Sequence, residues 1–230
     1  MIISFDMEYL FKSLKIVIQE GVFKKDPETT DLGKRIVGQG ILMIDEMGFE
    51  CFTFKKLGEQ IGSNESSIYR YFENKHMFLL YLASWYWSWI EYRLVLHTHT
   101  IEDPEDKLRK ALEILSGDVM EDKSFSHINE TALHRVIISE YSKSYLTKEV
   151  DEENEEGYFS VYKRLVLRLR DMIEKLNPKY AFSLCLASTV LEGTLHQQFL
   201  RDHFPTITNC NKKVPAKDFF IDMVFNCLKK

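Results

Sequence analysis

The chain has 230 residues, 45% of them hydrophobic, and carries 30 Lys and Arg against 35 Asp and Glu for a formal charge of −5. This is enough apolar material for a buried core, in one large domain or two small ones. A net acidic chain excludes DNA binding driven by overall charge, so any nucleic-acid affinity must come from a few placed cations.

In chain order, Met1 to Lys25 shows Phe5, Tyr9, Leu10, Leu14, Val17 and Ile18 at roughly helical spacing, and a helix is expected, although LKIVI also suits a strand. Asp26 to Asp31 reads as a linker ending in capping residues. The following helix has Val37, Gly40, Ile41, Ile44 and Met47 as its apolar stripe. Gly48 is placed to end it in the left-handed region, with Phe49 folding back.

Thr53 then suits an N-cap, and Phe54, Leu57 and Ile61 follow at helical spacing. Gly62 can leave that helix with positive φ, and Asn64 caps a restart in which Ile68 and Phe72 form the buried edge. Glu65, Ser66, Ser67, Tyr69, Arg70 and Tyr71 are polar or amphipathic, unlike the residues of a helix needed only for packing. Two helices across so short a turn make a helix-turn-helix, whose second helix can enter a DNA major groove. At about 1.5 Å per residue, Glu65 to Phe72 spans roughly 12 Å, comparable to the groove width.

Helix N-termini favour anions, yet Lys55 and Lys56 lie in the first turn after Thr53, and Lys75 follows the cap Asn74. A DNA phosphate at those termini would resolve the conflict. The expected backbone contacts are therefore Thr53, Lys55, Lys56, Tyr71 and Lys75, and the base-side contacts Glu65, Ser66, Ser67, Tyr69 and Arg70, with Asn64 at the turn. Residues 34 to 80 carry six basic and six acidic side chains, so this head is electrically neutral.

From Lys34 to Leu82 the sequence resembles the TetR family of transcriptional regulators. The resemblance rests on MGFECFTFKKLGEQIG, on IGSNESSIYRYFENK and on the HMFLLYL run, with Tyr69, Phe72, Asn74 and Lys75 at the family's strongest positions. It implies an all-α protein: a helix-turn-helix domain over 32–80, preceded by an extension over 1–31 and followed by a helical regulatory and dimerisation domain over 81–230. It implies double-stranded operator DNA as partner, a homodimer and a small-molecule effector. Glu65 stands where the family often has a lysine or another polar residue, which bears on operator sequence.

Lys75 to Leu96 should form one helix with Trp85, Tyr86, Trp87, Trp89 and Tyr92 crowded into its second half. Trp85, Trp89 and Tyr92 are the candidates for effector contact; core packing is the competing reading for each ring. His97 and His99 form an HxH pair without further ligands nearby, so neither a metal nor a cofactor is expected. Asp103 and Pro104 start a helix to Ser116, and another runs from Asn129 to Leu146. DEENEE, 151–156, is expected as a solvated loop or helix end. Tyr158 to Leu176 is amphipathic through Val161, Leu165, Leu169, Met172 and Leu176. Helices from Asn177–Pro178 to His203 and from Pro215 to Leu228 occupy the position of the family's dimerising pair.

Cys51, Cys185, Cys210 and Cys227 show no CxxC spacing, which suits reduced thiols in a cytoplasmic protein. The apolar run Leu79 to Ile90 is shorter than the roughly 18 residues of a membrane span. No motif assembles a nucleophile, base and orienting group around His127, His134 or His196, so an enzyme is not expected. A protein-interaction adaptor whose helix-turn-helix no longer reads DNA is the alternative function.

Overall fold

The structure, a computed structural model, describes residues 16–120 and 127–229. Eleven α-helices and two 3-10 turns, and no strand, occur among the described residues. The chain divides into two units. The first takes the residues up to Tyr86, Val119–Val136 and Glu140–Thr147, and the second takes Trp87–Asp118, Ile137–Ser139 and the chain from Lys148 onward.

The described part of the first unit begins without helix. Phe5, Tyr9, Leu10 and Leu14 of the expected amino-terminal helix lie outside the described residues, and the described part, residues 16–25, is not helical. Val17 is exposed and Ile18 buried, as in extended chain. Gly21 then turns it with φ 102°. Val22 is fully buried, and the Lys24 N–H donates to the Tyr71 carbonyl at 2.7 Å, so tertiary contacts hold this segment.

Asp26 caps a 3-10 turn over Pro27–Thr29, and the Thr30 hydroxyl accepts from the Gly33 N–H at 3.0 Å to start α1, Asp31–Cys51. Gly48 interrupts α1 with φ 77°, the conformation only glycine adopts readily, and Phe49 turns back into the core. Then come α2 (Phe54–Gln60), α3 (Glu65–Ile68) and α4 (Lys75–Thr98). Ile36, Val37, Ile41 and Ile44 of α1 close over Phe52, Phe54, Leu57, Ile68, Phe72 and Phe78, all buried. Phe78 stacks on Phe52 with centroids 5.6 Å apart and meets Phe72 edge-on at 4.9 Å. Gly40 makes room for it, since a Cβ there would stand 2.4 Å from Phe78 Cζ.

Most of α6 (Glu130–Glu140) and all of α7 (Ser142–Tyr145) belong to this unit, two helices where the sequence predicts one continuous helix to Leu146. The Asn129 side chain caps the first, accepting from Ala132 N–H at 2.7 Å. Arg135 forks onto the Asp45 carboxylate at 2.9 and 2.6 Å.

The second unit is a helical body. It is built from the later turns of α4 with α5 (Pro104–Ser116), α8 (Val150–Glu155), α9 (Ser160–Leu176), α10 (Ser183–His203) and α11 (Ala216–Leu228). Helix α5 packs against α9, α10 and α11, and α10 also packs on α9 and α11. Asp103 starts α5, its carboxylate accepting from Asp106 N–H at 2.9 Å. Along α9 the buried stripe is Val161, Leu165, Leu169 and Ile173, so it ends on Ile173 rather than on Met172 and Leu176. Gly193 lets the Phe220 ring approach to where a Cβ would meet it at 3.1 Å.

Two expectations in this body are corrected. The acidic tract forms α8 and buries Glu153, rather than lying wholly in solvent. Asn177 and Pro178 form a turn instead of starting a helix. The Asn177 side chain accepts from Lys179 N–H and donates to the Leu228 carbonyl, and α10 begins only at Ser183.

Candidate nucleic-acid interface

Helix α2 starts at Thr53, whose hydroxyl accepts from Lys56 N–H at 3.2 Å, and ends at Ile61. Gly62 follows with φ 65°. Asn64 then caps α3, its Oδ1 accepting from both Ser67 N–H at 2.8 Å and Ser67 Oγ–H at 2.7 Å. Asn64 and Ser67 are thereby engaged with each other, holding the turn.

The regular part of α3 is four residues long, shorter than the expected Glu65 to Phe72. The chain continues in helical turns: the Phe72 N–H still donates to the Ile68 carbonyl at 3.1 Å. Ile68 and Phe72 anchor this stretch in the core, while Ser66, Tyr69 and Arg70 are exposed and Glu65 is half-buried. The Tyr69 ring packs edge-on against Phe54 with centroids 5.2 Å apart, which fixes its direction. Partial burial and the neighbouring Glu65 carboxylate push the Tyr69 phenol above its usual range, so it remains an O–H donor.

Tyr71 departs from its expected role. It is 3% exposed, and its hydroxyl is 2.7 Å from the Thr30 hydroxyl. Lys25 lies over its ring at 5.2 Å. A side chain so enclosed braces the head and is not disposed to meet a phosphate.

The lysines are distributed unequally. Lys55 is exposed. Lys56 Nζ donates to the Cys51 carbonyl at 2.8 Å, and Lys75 Nζ donates to the carbonyls of Phe49 at 3.1 Å and Glu50 at 3.4 Å. The Lys75 ammonium also sits 4.7 Å from the centre of the Phe49 ring. The last turn of α1 contains no basic residue, so these two lysines supply the positive charge that a helix C-terminus favours.

A polar network missed by sequence reading meets them there. The Phe49 N–H, freed by the break at Gly48, donates to Glu140 Oε1 at 3.1 Å. Lys143 bridges Glu140 at 2.7 Å and Glu50 at 3.0 Å. Hydrogen bonding to Lys143 holds the Glu50 carboxyl below its usual range and, first through Glu140, raises the Lys143 ammonium. These residues are some ninety positions apart in sequence, and no local pattern marks the pair.

The effector candidates lie in different units, Trp85 in the first and Trp89 and Tyr92 in the second. Trp85 and Trp89 are 1% and 0% exposed, and Tyr92 is half-buried. Within the body, Arg93 stacks over the Trp89 ring at 4.8 Å, and Glu91 is clamped by Arg164 at 2.7 Å and Arg168 at 2.8 Å. Burial would raise the Glu91 carboxyl, but its hydrogen bonds to the two arginines outweigh this and hold it below its usual range. His97 and His99 are exposed, and no cluster of three or more potential metal ligands occurs among the described residues. No helix there is long and apolar enough to cross a membrane.

A cap-joined pair of short helices, with a polar edge on the second, defines a helix-turn-helix protein of all-α architecture. No protein-family model matches the chain, and no curated protein matches it. Solved structures do. AibR in complex with isovaleryl coenzyme A and operator DNA superposes with a TM-score of 0.56 at 14% identity, covering 85% of this chain and 98% of AibR. The TetR-family regulator PfmR from Thermus thermophilus gives 0.53 at 14% identity, covering 85% and 94%. The fatty acid degradation regulator FadR from Bacillus halodurans gives 0.50 at 16% identity, covering 84% and 96%. The chain has the fold of the TetR-family regulators along most of its length, which bears out, at the level of fold, the resemblance read from residues 34 to 82. PfmR is a transcriptional regulator and FadR a regulator of fatty acid degradation.

Proposed function

We propose that this protein is a sequence-specific DNA-binding transcriptional regulator, a ligand-responsive repressor without catalytic activity. It acts in the cytoplasm as a homodimer on a near-palindromic operator. The observation that carries this reading is the edge formed by α3 and the turn after it: Ser66, Tyr69 and Arg70 are exposed beside a buried Ile68 and Phe72, with Tyr69 braced by Phe54. A short helix so anchored presents polar groups in a fixed array, as reading base edges requires.

Glu65, Ser66, Ser67, Tyr69 and Arg70 are the base-side contacts in this reading. Arg70 suits a two-pronged contact with guanine, and Glu65 can accept from a cytosine amino group. Asn64, Thr53, Lys55, Lys56 and Lys75 serve the backbone. Lys56 and Lys75 do so by exchanging helix carbonyls for a phosphate, and Tyr71 is withdrawn to a bracing role. Dimerisation through α10 and α11 is supported by the exposed apolar side chains Phe182, Leu184, Phe204 and Phe219 on and beside those helices. AibR, with its isovaleryl coenzyme A and operator DNA, supports the effector-responsive part of the reading.

Selection from a pool of random duplexes tests this reading. The expected product is a near-palindrome whose half-sites lie one helical turn, about 34–36 Å, apart. Failure to enrich any sequence, together with capture of a protein partner in the absence of DNA, would favour the adaptor reading instead.

A further inference from the structure

The head unit contains an open groove of about 400 Å³ lined by Lys34, Arg35, Gln39, Gln60, Ile61 and His127. Its volume falls in the range of small-molecule sites, roughly 300–1,000 Å³. Structural contacts hold its walls in place. Arg35 Nη1 donates to the Ile61 carbonyl at 3.2 Å and ties α1 to the end of α2. The main chain at His127 lies so close to α1 that a Cβ on Gly38 would stand 2.4 Å from the His127 carbonyl oxygen. The ring of His127 is held by Glu28, Nε2 to Oε1 at 2.8 Å.

The lining is distinctive in charge. In a chain with 35 acidic and 30 basic residues, none of these six side chains is a carboxylate. Lys34 and Arg35 bring two fixed positive charges, and the Gln39 and Gln60 amides bring neutral donors. Lys34 has no carboxylate partner among the described residues. Arg35 spends one N–H on Ile61 and retains donors for a second acceptor. The carboxylate at this wall, Glu28, is already engaged by His127, and two fixed cations with two amides beside it favour an anion with several acceptor oxygens.

We propose that this groove is a phosphate-binding site, in which Lys34 and Arg35 supply the charge and Gln39 and Gln60 the neutral hydrogen bonds. The phosphate comes either from a small phosphorylated molecule or from a nucleic-acid backbone, and two arms of one experiment separate these sources. In the first, inorganic phosphate is titrated into the full-length protein without DNA, at constant ionic strength against chloride. Saturable binding that weakens at least tenfold in Lys34→Gln, and is unchanged in the control Lys163→Gln, identifies a small-ligand site. In the second, binding to a duplex of random sequence is followed with salt. A slope of log K against log salt that falls by about 0.9 in Lys34→Gln identifies the backbone as the source. Gln60→Ala, an exposed position, provides a second variant should Lys34→Gln fail to fold. No saturable phosphate binding, with an unchanged salt slope or no duplex binding at all, overturns the proposal. The first arm contains no DNA, so its outcome is separate from that of base reading by α3.

Discussion

Lys56 and Lys75 each occupy the first turn of a helix, where local electrostatics disfavours a cation. The structure resolves this within the chain, because both ammonium groups reach the carbonyl end of α1. Lys75→Gln should therefore lower the thermal stability of the DNA-free protein, by about 0.5–1.5 kcal/mol. A lysine serving phosphate alone would leave the melting curve unmoved. Glu91 gives a second expectation. Its folded-state carboxyl lies below the ordinary value, so its contribution to stability is present above the unfolded-state pKa of about 4.3 and is lost as pH falls through the folded-state value. In urea titrations the gap between wild type and Glu91→Gln should be widest near neutrality and close in acid. A gap independent of pH would show that the arginine clamp does not stabilise the charged form.

Helix starts were legible in the sequence wherever a side chain caps its own turn. Thr30, Thr53, Asn64 and Asp103 each accept from the backbone N–H three residues ahead, and these contacts depend on a few adjacent residues. What sequence reading missed depends on distant partners. Residues 16–25 carry helical spacing but are held outside a helix by Tyr71 and the turn at Gly21. Tyr71 follows α3 in a polar stretch and reads as a surface residue, but its hydroxyl pairs with Thr30, forty-one positions away. The same holds for the junction of α1 with Glu140. Glu140→Ala should destabilise the fold by about 1–3 kcal/mol, because the buried Phe49 N–H loses its acceptor, whereas Glu140→Gln should restore much of that loss. Equal stability in wild type and Glu140→Ala, measured by chemical denaturation, would show that this bond contributes nothing.

At the scale of the whole molecule, one α3 reaches too few base pairs to define an operator, so the proposed function requires two copies. Phe219 is 44% exposed on α11 and Leu184 is 48% exposed on α10, whereas most large apolar side chains among the described residues are buried. Phe219→Glu with Leu184→Glu should shift the protein from dimer to monomer in sedimentation velocity while leaving its helical circular dichroism intact. A wild-type monomer at micromolar concentration would remove the two-fold mechanism. Fluorescence anisotropy shows whether the exposed edge of α3 and the turn after it reads DNA. The purified protein is titrated onto DNA flanking its own gene, with excess competitor, beside a Ser66→Ala, Arg70→Ala variant of unchanged fold. Wild-type binding should survive competitor and fall at least tenfold in the variant; equal binding by the two proteins would overturn base reading by this edge.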